Sequence, residues 1–280
     1  MNEAWTTLTP FRRWQSERDL DQDRPSVTMV IDTGLGPETT RDILATSNAF
    51  IDHWKFSFGT SMIYPTEVLR NKLDLLRSHG ITVYPGGTLY EACALDRQTP
   101  QFLDTIKHLG FNAVEISDGT IDLTRADRRA AITGVLERGL IAITEVGKKS
   151  PYRRLAPSDV SDQALEDFEA GAHHVVVEGR ESGIGVGLYD EHGEIDLRAV
   201  DEVRTALGDL VDRVIWEAPL KKQQASLIRQ FGVNVGLGNV SPRDAVALEA
   251  LRARLRFETL EPIVARARIR SRALRDYCHG

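Results

Sequence analysis

The chain has little cysteine. Cys93 and Cys278 are its two cysteines, and they stand far apart in no spacing that pairs them. Neither a disulfide framework nor a cysteine-ligated zinc site is therefore indicated. The seven histidines also lack metal-ligand spacing, so we interpret all of them as structural or exposed. This cysteine usage predicts a cytoplasmic protein.

Long apolar runs are also missing. No stretch approaches the ~20 apolar residues that span a bilayer, and the polar first residues do not resemble a signal peptide. The net charge of -6 gives no general attraction to nucleic acid or anionic lipid. The sequence contains no GxSxG, GxGxxG or P-loop motif, so acyl transfer, nicotinamide chemistry and ATP hydrolysis are not indicated. We expect neither a nucleic-acid nor a membrane partner.

What the chain does contain is a regular alternation of strand and helix patterns. Its 280 residues are 41% hydrophobic, which is enough for a full core in one domain. Strand-like runs alternate with segments of helical spacing, which is the pattern of a single (β/α)8 barrel. The runs span residues 27–31, 53–57, 81–84, 112–116, 140–145, 173–178, 212–216 and 232–236.

Four of the apolar runs contain a carboxylate at or near their carboxyl end: Glu115, Glu145, Glu178 and Glu217. Each one taken alone is equally well explained as a cap for the following helix. Together they predict four carboxylates at the barrel mouth, where mutual repulsion would raise their pKa values unless a cation neutralised them. Oxygen ligands without nearby histidine or cysteine favour Mg²⁺, or Mn²⁺ as a substitute.

Lysines accompany these acids. Lys55 lies inside an apolar strand, where an unpaired ammonium would be costly, so we expect it to reach the mouth and pair with an acid or an anionic substrate. Lys148 and Lys149 follow the Glu145 strand, and Lys221 follows the Glu217 strand. A lysine beside a metal can serve in proton transfer, and the alternative for Lys148 and Lys149 is that they are two solvated loop cations.

Glycine-rich turns provide a third signal. Residues 236–239 (GLGN) precede a helix start at Ser241, and backbone N–H groups at helix starts attract anions. The loops after the last two strands are also the usual phosphate site of such barrels. Residues 85–88 (PGGT) and 58–61 (FGTS) form similar glycine-rich turns, and each turn alone is more often only a tight turn. With Arg180 as a further clamp, the turns predict a small anionic, phosphorylated substrate.

Most of these residues lie within five strings that resemble, in order and spacing, the phosphosulfolactate synthase family. The resemblance covers roughly residues 27–260. The strings are residues 84–91 (YPGGTLYE), 114–120 (VEISDGT), 144–149 (TEVGKK), 177–183 (VEGRESG) and 215–224 (IWEAPLKKQQ).

The resemblance implies a (β/α)8 barrel that uses Mg²⁺ to add sulfite to phosphoenolpyruvate, giving phosphosulfolactate. It implies Glu145, Glu178 and Glu217 as metal ligands. Lys148 is then the expected proton donor, with Lys149 as runner-up. Glu115 is a further catalytic candidate, and the candidates for substrate binding are Lys55, Arg180, Lys221, Gly238, Asn239, Asp32, Thr33 and Ser57.

Three positions depart from the family pattern. Thr33 and Ser57 replace a usual lysine and glycine, and Gly236 replaces a usual asparagine. A different nucleophile or enol phosphate, or a non-catalytic protein like the heat-stress-associated plant relatives, therefore remains an alternative. We divide the chain into an N-terminal extension over residues 1–25, the barrel over 26–262 and a basic tail over 263–280, and we expect a homo-oligomer.

Overall fold

The computed structural model describes residues 3–18, 26–150, 152, 155–265 and 268. In this part of the chain eight parallel strands form one sheet, which confirms the predicted (β/α)8 barrel. The strands are β1 (Thr28–Asp32), β2 (His53–Phe56), β3 (Thr82–Pro85), β4 (Ala113–Ser117), β5 (Ile141–Val146), β6 (His174–Val177), β7 (Val214–Glu217) and β8 (Leu237–Val240).

The barrel is nearly closed, and its seam lies between β3 and β4. The strand order is β3-β2-β1-β8-β7-β6-β5-β4, so the two end strands share no ladder among the described residues. Side chains bridge this seam instead. The Val83 amide donates to Oδ1 of Asn112 at 2.7 Å, and the Gly87 amide donates to Oε1 of Glu115 at 2.7 Å.

Helices cover the outside of the barrel. They are α1 (Thr9–Glu17), α2 (Pro37–Ser47), α3 (Thr60–Ile63), α4 (Thr66–Ser78), α5 (Gly87–Leu95), α6 (Thr99–Leu109), α7 (Arg125–Glu137), α8 (Pro157–Ala170), α9 (Leu197–Leu207), α10 (Lys221–Phe231) and α11 (Ala245–Arg252). Short 3-10 helices span Glu3–Trp5, Asn48–Phe50, Ser57–Gly59, Gly208–Arg213 and Pro242–Asp244. None of the helices in the described residues has the length and apolar character that a membrane span requires.

The N-terminal segment is attached to the barrel through α11. Nε1 of Trp14 donates to Oε1 of Glu249 at 2.7 Å, and Arg18 forms a buried ion pair with the same carboxylate at 3.0 Å. Most of the basic tail predicted for 263–280 lies outside the described residues.

Strand alternation sorts the barrel interior into layers. An apolar layer contains Met29, Tyr84, Ala113, Ile143, Val176 and Ile215, all fully buried. Side chains two residues apart on a strand point to the same face. The glutamates therefore stand above this layer, because Glu145 follows Ile143 by two residues and Glu217 follows Ile215 by two.

The predicted eighth strand over 232–236 is wrong. These residues form the turn that ends α10, where Gly232 adopts a φ of 94° and the Val235 amide bonds back to its carbonyl. The strand begins at Leu237, so the GLGN string is mostly strand and not a loop after it. Ser241 also makes no side-chain capping hydrogen bond.

Two histidines lie at the amino-terminal end of the barrel interior, away from the mouth. The rings of His53 and His174 meet at 4.9 Å, and His53 is 4% exposed. Burial, with the neighbouring histidines, lowers the pKa of His53 to about 3 and that of His174 to about 2. Both rings are therefore neutral and structural at neutral pH.

This pair predicts acid sensitivity. Below pH about 6.5 the unfolded chain binds protons at these histidines that the folded chain does not, so the free energy of unfolding falls as pH falls, by up to about 1.4 kcal/mol per pH unit and histidine. We expect His53→Leu to reduce this slope in denaturant unfolding between pH 6.5 and 4.5. The exposed His108 provides the control: His108→Leu should keep the wild-type slope, and equal slopes in the two variants would contradict the prediction.

Candidate active site

A cavity of about 380 Å³ opens at the carboxyl ends of the strands, the face on which barrels of this kind carry their active sites. Four strands each contribute one glutamate to it. These are Glu115 from β4, Glu145 from β5, Glu178 directly after β6 and Glu217 from β7, and each is at most 2% exposed.

Lys55 lies at the centre of these carboxylates. Its Nζ is 2.9 Å from Oε1 of Glu115, 3.1 Å from Oε2 of Glu145 and 3.1 Å from Oε1 of Glu217. Burial opposes the charge on this lysine, but the three carboxylates outweigh it and raise the pKa of Lys55 well above its usual value. The ammonium is therefore a fixed positive charge in the cavity floor.

Lys149 enters the cavity from the loop after β5. Its Nζ is 3.1 Å from Oε1 of Glu145, 3.3 Å from Oε1 of Glu91 and 3.9 Å from Oε2 of Glu178. Burial disfavours its charge, but these carboxylates prevail and raise the pKa of Lys149. With a side chain that is 24% exposed, Lys149 is a charged donor that borders the open part of the cavity.

The carboxylates differ in protonation. Burial would raise the pKa of Glu145, but Lys149 and Lys55 outweigh it and hold that pKa well below its usual value. Burial, together with Glu145 and Glu217, raises the pKa of Glu178 well above its usual value. Burial raises the pKa of Glu115 to about 7 against the opposing charge of Lys55. Carboxyl groups thus outnumber ammonium groups at the mouth, and their crowding favours the neutral form of Glu178.

Three of the glutamates can hold a metal ion. One carboxylate oxygen each from Glu145, Glu178 and Glu217 lies within 4.8 Å of the others, and all three residues are buried. Oε2 of Glu178 has no hydrogen-bond partner among the described residues, so a ligand oxygen is free. The all-oxygen donor set and the excess of carboxylates over ammonium groups suit a hard divalent cation.

Backbone amides orient two of these carboxylates. The Gly179 amide donates to Oε2 of Glu217 at 2.9 Å, and the Arg180 amide donates to Oε1 of Glu178 at 2.6 Å. A Cβ on Gly179 would approach the Glu217 carbonyl oxygen to 2.7 Å, so only glycine allows this close crossing. The loop after β6 thereby fixes both glutamates.

Five predicted site residues lie away from the cavity. Lys148 bonds to the loop after β4 through Asp118, and the exposed Lys221 pairs with Glu258. Asp32 is fully buried and accepts from Nζ of Lys72 and, at 2.8 Å, from Nε1 of Trp54. The side chain of Thr33 is exposed, and Gly238 packs inside the barrel, where a Cβ would be 2.5 Å from Cε of Met29.

Ser57, Arg180 and Asn239 do line the cavity. Asn239 has a left-handed φ of 54°, and its buried Oδ1 has no hydrogen-bond partner among the described residues. Arg180 has a φ of 57°, and Phe58, which lines the same cavity, has a φ of 55°. Non-glycine residues in this region are strained, and such strain is concentrated at functional sites.

Sequence reasoning missed two residues of the site. Glu91, on α5, accepts from Oγ of Ser117 at 2.6 Å, and Ser117 also lies 2.8 Å from Oε1 of Glu145. Glu91 was visible as the last residue of the YPGGTLYE string, but nothing in its spacing indicated that α5 enters the site. A Cβ on Gly87 would be 2.4 Å from Cβ of Ser117, so the glycine allows the start of α5 to lie close to the end of β4.

The fold and this site define the class of protein: a (β/α)8 barrel with buried acids and lysines at the face on which such barrels carry their active sites. Residues 17–258 match the family model described as (2R)-phospho-3-sulfolactate synthase (ComA). The chain belongs to the phosphosulfolactate synthase family, which confirms the resemblance.

Relatives agree with this assignment. Phosphosulfolactate synthase from Methanothermobacter thermautotrophicus is 36% identical over 259 residues, which is 92% of this chain and 97% of that protein. The enzyme of the same name from Methanocaldococcus jannaschii is 39% identical over 235 residues, covering 83% and 93%. Among solved structures, the YdjI aldolase from Escherichia coli K12 has a TM-score of 0.52 at 11% identity over 86% of this chain and 90% of its own, a likeness of fold alone.

Proposed function

We propose that this enzyme is a carbon–sulfur lyase that adds sulfite to phosphoenolpyruvate in a Mg²⁺-dependent reaction, giving phosphosulfolactate. The observation that carries the proposal is the convergence of three buried glutamates and two lysines in one cavity of a chain from this family. The names of its relatives support phosphosulfolactate as the product. The set of carboxylate oxygens supports Mg²⁺ as the metal.

Glu145, Glu178 and Glu217 would hold the cation, with Mn²⁺ as a substitute. When bound, Mg²⁺ supplies positive charge near the substrate carboxylate, where negative charge develops during the addition. Lys55 adds a second, permanent positive charge at the same place. Arg180, which lines the cavity, is suited to the phosphate group.

The reaction forms one carbon–sulfur and one carbon–hydrogen bond. The sulfite lone pair attacks the methylene carbon, and the electrons of the carbon–carbon double bond move to the neighbouring carbon and its carboxylate. A proton from Nζ of Lys149 then goes to that carbon, while the phosphate ester stays intact. Lys149 is preferred over Lys148 as the donor because Lys149 lines the cavity and Lys148 does not.

The test is the rate of phosphoenolpyruvate consumption by purified enzyme with Mg²⁺. We expect turnover that saturates with sulfite and is abolished by a chelator and restored by Mg²⁺ or Mn²⁺. Sulfate, which has no free lone pair on sulfur, is the matched control anion and should give no product. Turnover with a thiol or another oxyanion, and none with sulfite, would instead support a changed nucleophile.

A further inference from the structure

The two adjacent lysines after β5 have different surroundings. Lys149 reaches the glutamates, while Lys148 is directed to the loop after β4. We propose that Lys148, Asp118 and Arg128 are positioning residues that fix this loop, and that Gly119 leaves the passage through which Lys149 reaches the site. The inference rests on the proposed role of Lys149 as proton donor.

Lys148 ties two loops together. Its Nζ bonds to the carbonyl oxygens of Asp118 at 2.6 Å and Ile121 at 3.0 Å. It also bonds to Oδ2 of Asp118 at 3.1 Å and Oδ1 of Asp122 at 3.2 Å. The ammonium has four acceptors around it, and its side chain is 10% exposed. Its role in the structure is therefore to hold the two loops together.

Arg128 connects the loop after β4 to β5, the strand that contains Glu145. Nη1 bonds to Oδ1 of Asp118 at 3.0 Å, and Nη2 bonds to the Glu145 carbonyl oxygen at 3.0 Å. Asp167 accepts two further bonds, at 2.7 and 2.6 Å. The guanidinium is 2% exposed and lies outside the cavity, so it acts on the site only through the backbone it holds.

Gly119 lies under the Lys149 side chain. Its carbonyl oxygen accepts the Lys149 amide at 3.0 Å, and its own amide donates to Oγ of Ser117 at 3.2 Å. A Cβ at this position would be 2.9 Å from Cγ of Lys149 and 3.0 Å from its Cδ and Cε. Because Gly119 does not have a positive φ, the backbone would accept alanine, and the side chain of Lys149 would have to move.

Gly119→Ala therefore tests the inference. We expect kcat to fall about 10- to 100-fold, because a shift of about 1 Å in a reacting group costs up to that much. KM for phosphoenolpyruvate and the Mn²⁺ dissociation constant should rise no more than twofold, because the three atoms nearest to the added Cβ all belong to Lys149. Gly36→Ala is the matched control: no atom lies within 4 Å of its added Cβ, and all parameters should stay at wild-type values.

A readout without turnover separates this inference from the proposed reaction. An ammonium held by carboxylates reacts slowly with trinitrobenzenesulfonate, so displacement should speed labelling of Lys149, measured by peptide mass spectrometry, at least threefold in Gly119→Ala. Lys148→Met should speed it likewise, because the loop is released. Unchanged labelling and kcat in Gly119→Ala, or a parallel rise in KM and the Mn²⁺ constant, would overturn the positioning role. If the wild-type enzyme is inert towards sulfite and phosphoenolpyruvate, but Lys149 is still labelled faster in Gly119→Ala than in the wild type, the proposed reaction is refuted and the positioning of Lys149 is not.

Discussion

Lys149→Met should lower kcat by about 10²- to 10⁴-fold, the range that a positioned general acid contributes. Methionine has nearly the length of lysine but has no ionisable proton to donate. Because Lys149 neutralises Glu145 and Glu178, its removal leaves more negative charge at the mouth. We therefore expect the variant to bind Mn²⁺ at least as tightly as the wild type.

Steady-state rates with sulfite and phosphoenolpyruvate check this prediction, together with Mn²⁺ titration of the same samples. Lys221→Met is the control, because Lys221 is half exposed and pairs with Glu258 on the outside of the barrel. A Lys149→Met enzyme with a kcat within threefold of the wild type would assign the proton to another group.

Glu145→Gln should weaken Mn²⁺ binding by at least about 100-fold and abolish turnover at ordinary metal concentrations. The amide keeps the shape of the side chain but removes the negative charge that a hard cation requires. Both Lys55 and Lys149 contact the Glu145 carboxylate, so loss of its charge leaves these two ammonium groups less neutralised, and they repel the cation more strongly. Both effects act in the same direction.

Electron paramagnetic resonance of free Mn²⁺ measures this binding directly. Glu258→Gln removes a carboxylate of the outer surface and should bind Mn²⁺ as the wild type does. If Glu145→Gln and the control bind Mn²⁺ equally, the three glutamates are not its ligands.

The glutamates were predictable because they stand at the ends of apolar runs, and period-two alternation explains why they face the cavity. Ile143 and Glu145 stand two residues apart on one strand, as do Ile215 and Glu217, and the same face is apolar below and acidic above. Lys55 was recognisable for a different reason: a lysine in an apolar strand needs a partner, and the structure gives it three carboxylates. The sequence therefore contained both the barrel and its acidic mouth.

The backbone around Gly147 explains why the order of the two lysines was not predictable. Gly147 has a φ of 134°, and a Cβ there would be 2.5 Å from Cβ of Glu178. After this turn Lys149 enters the cavity and Lys148 joins Asp118, and spacing alone carries no information about such a turn. Asp32 is a similar case, because its partner Lys72 comes from α4.

The seam between β3 and β4 could not be read from the sequence either. Strand patterns predict strands but not which neighbours form ladders, and here side chains replace one ladder. Glu115 pairs with Lys55 and also accepts the Gly87 amide across this seam. A residue predicted for catalysis thus also helps to close the barrel.

The most direct measurement is phosphorus and carbon NMR of the enzyme in D₂O with Mg²⁺, sulfite and phosphoenolpyruvate. We expect one new phosphate ester with a methylene carbon bonded to sulfur and a single deuterium on the carbon that bears the phosphate. Its formation should need both sulfite and metal. Unchanged phosphoenolpyruvate in the presence of metal-loaded, folded enzyme, or a product without sulfur, would contradict the proposed reaction.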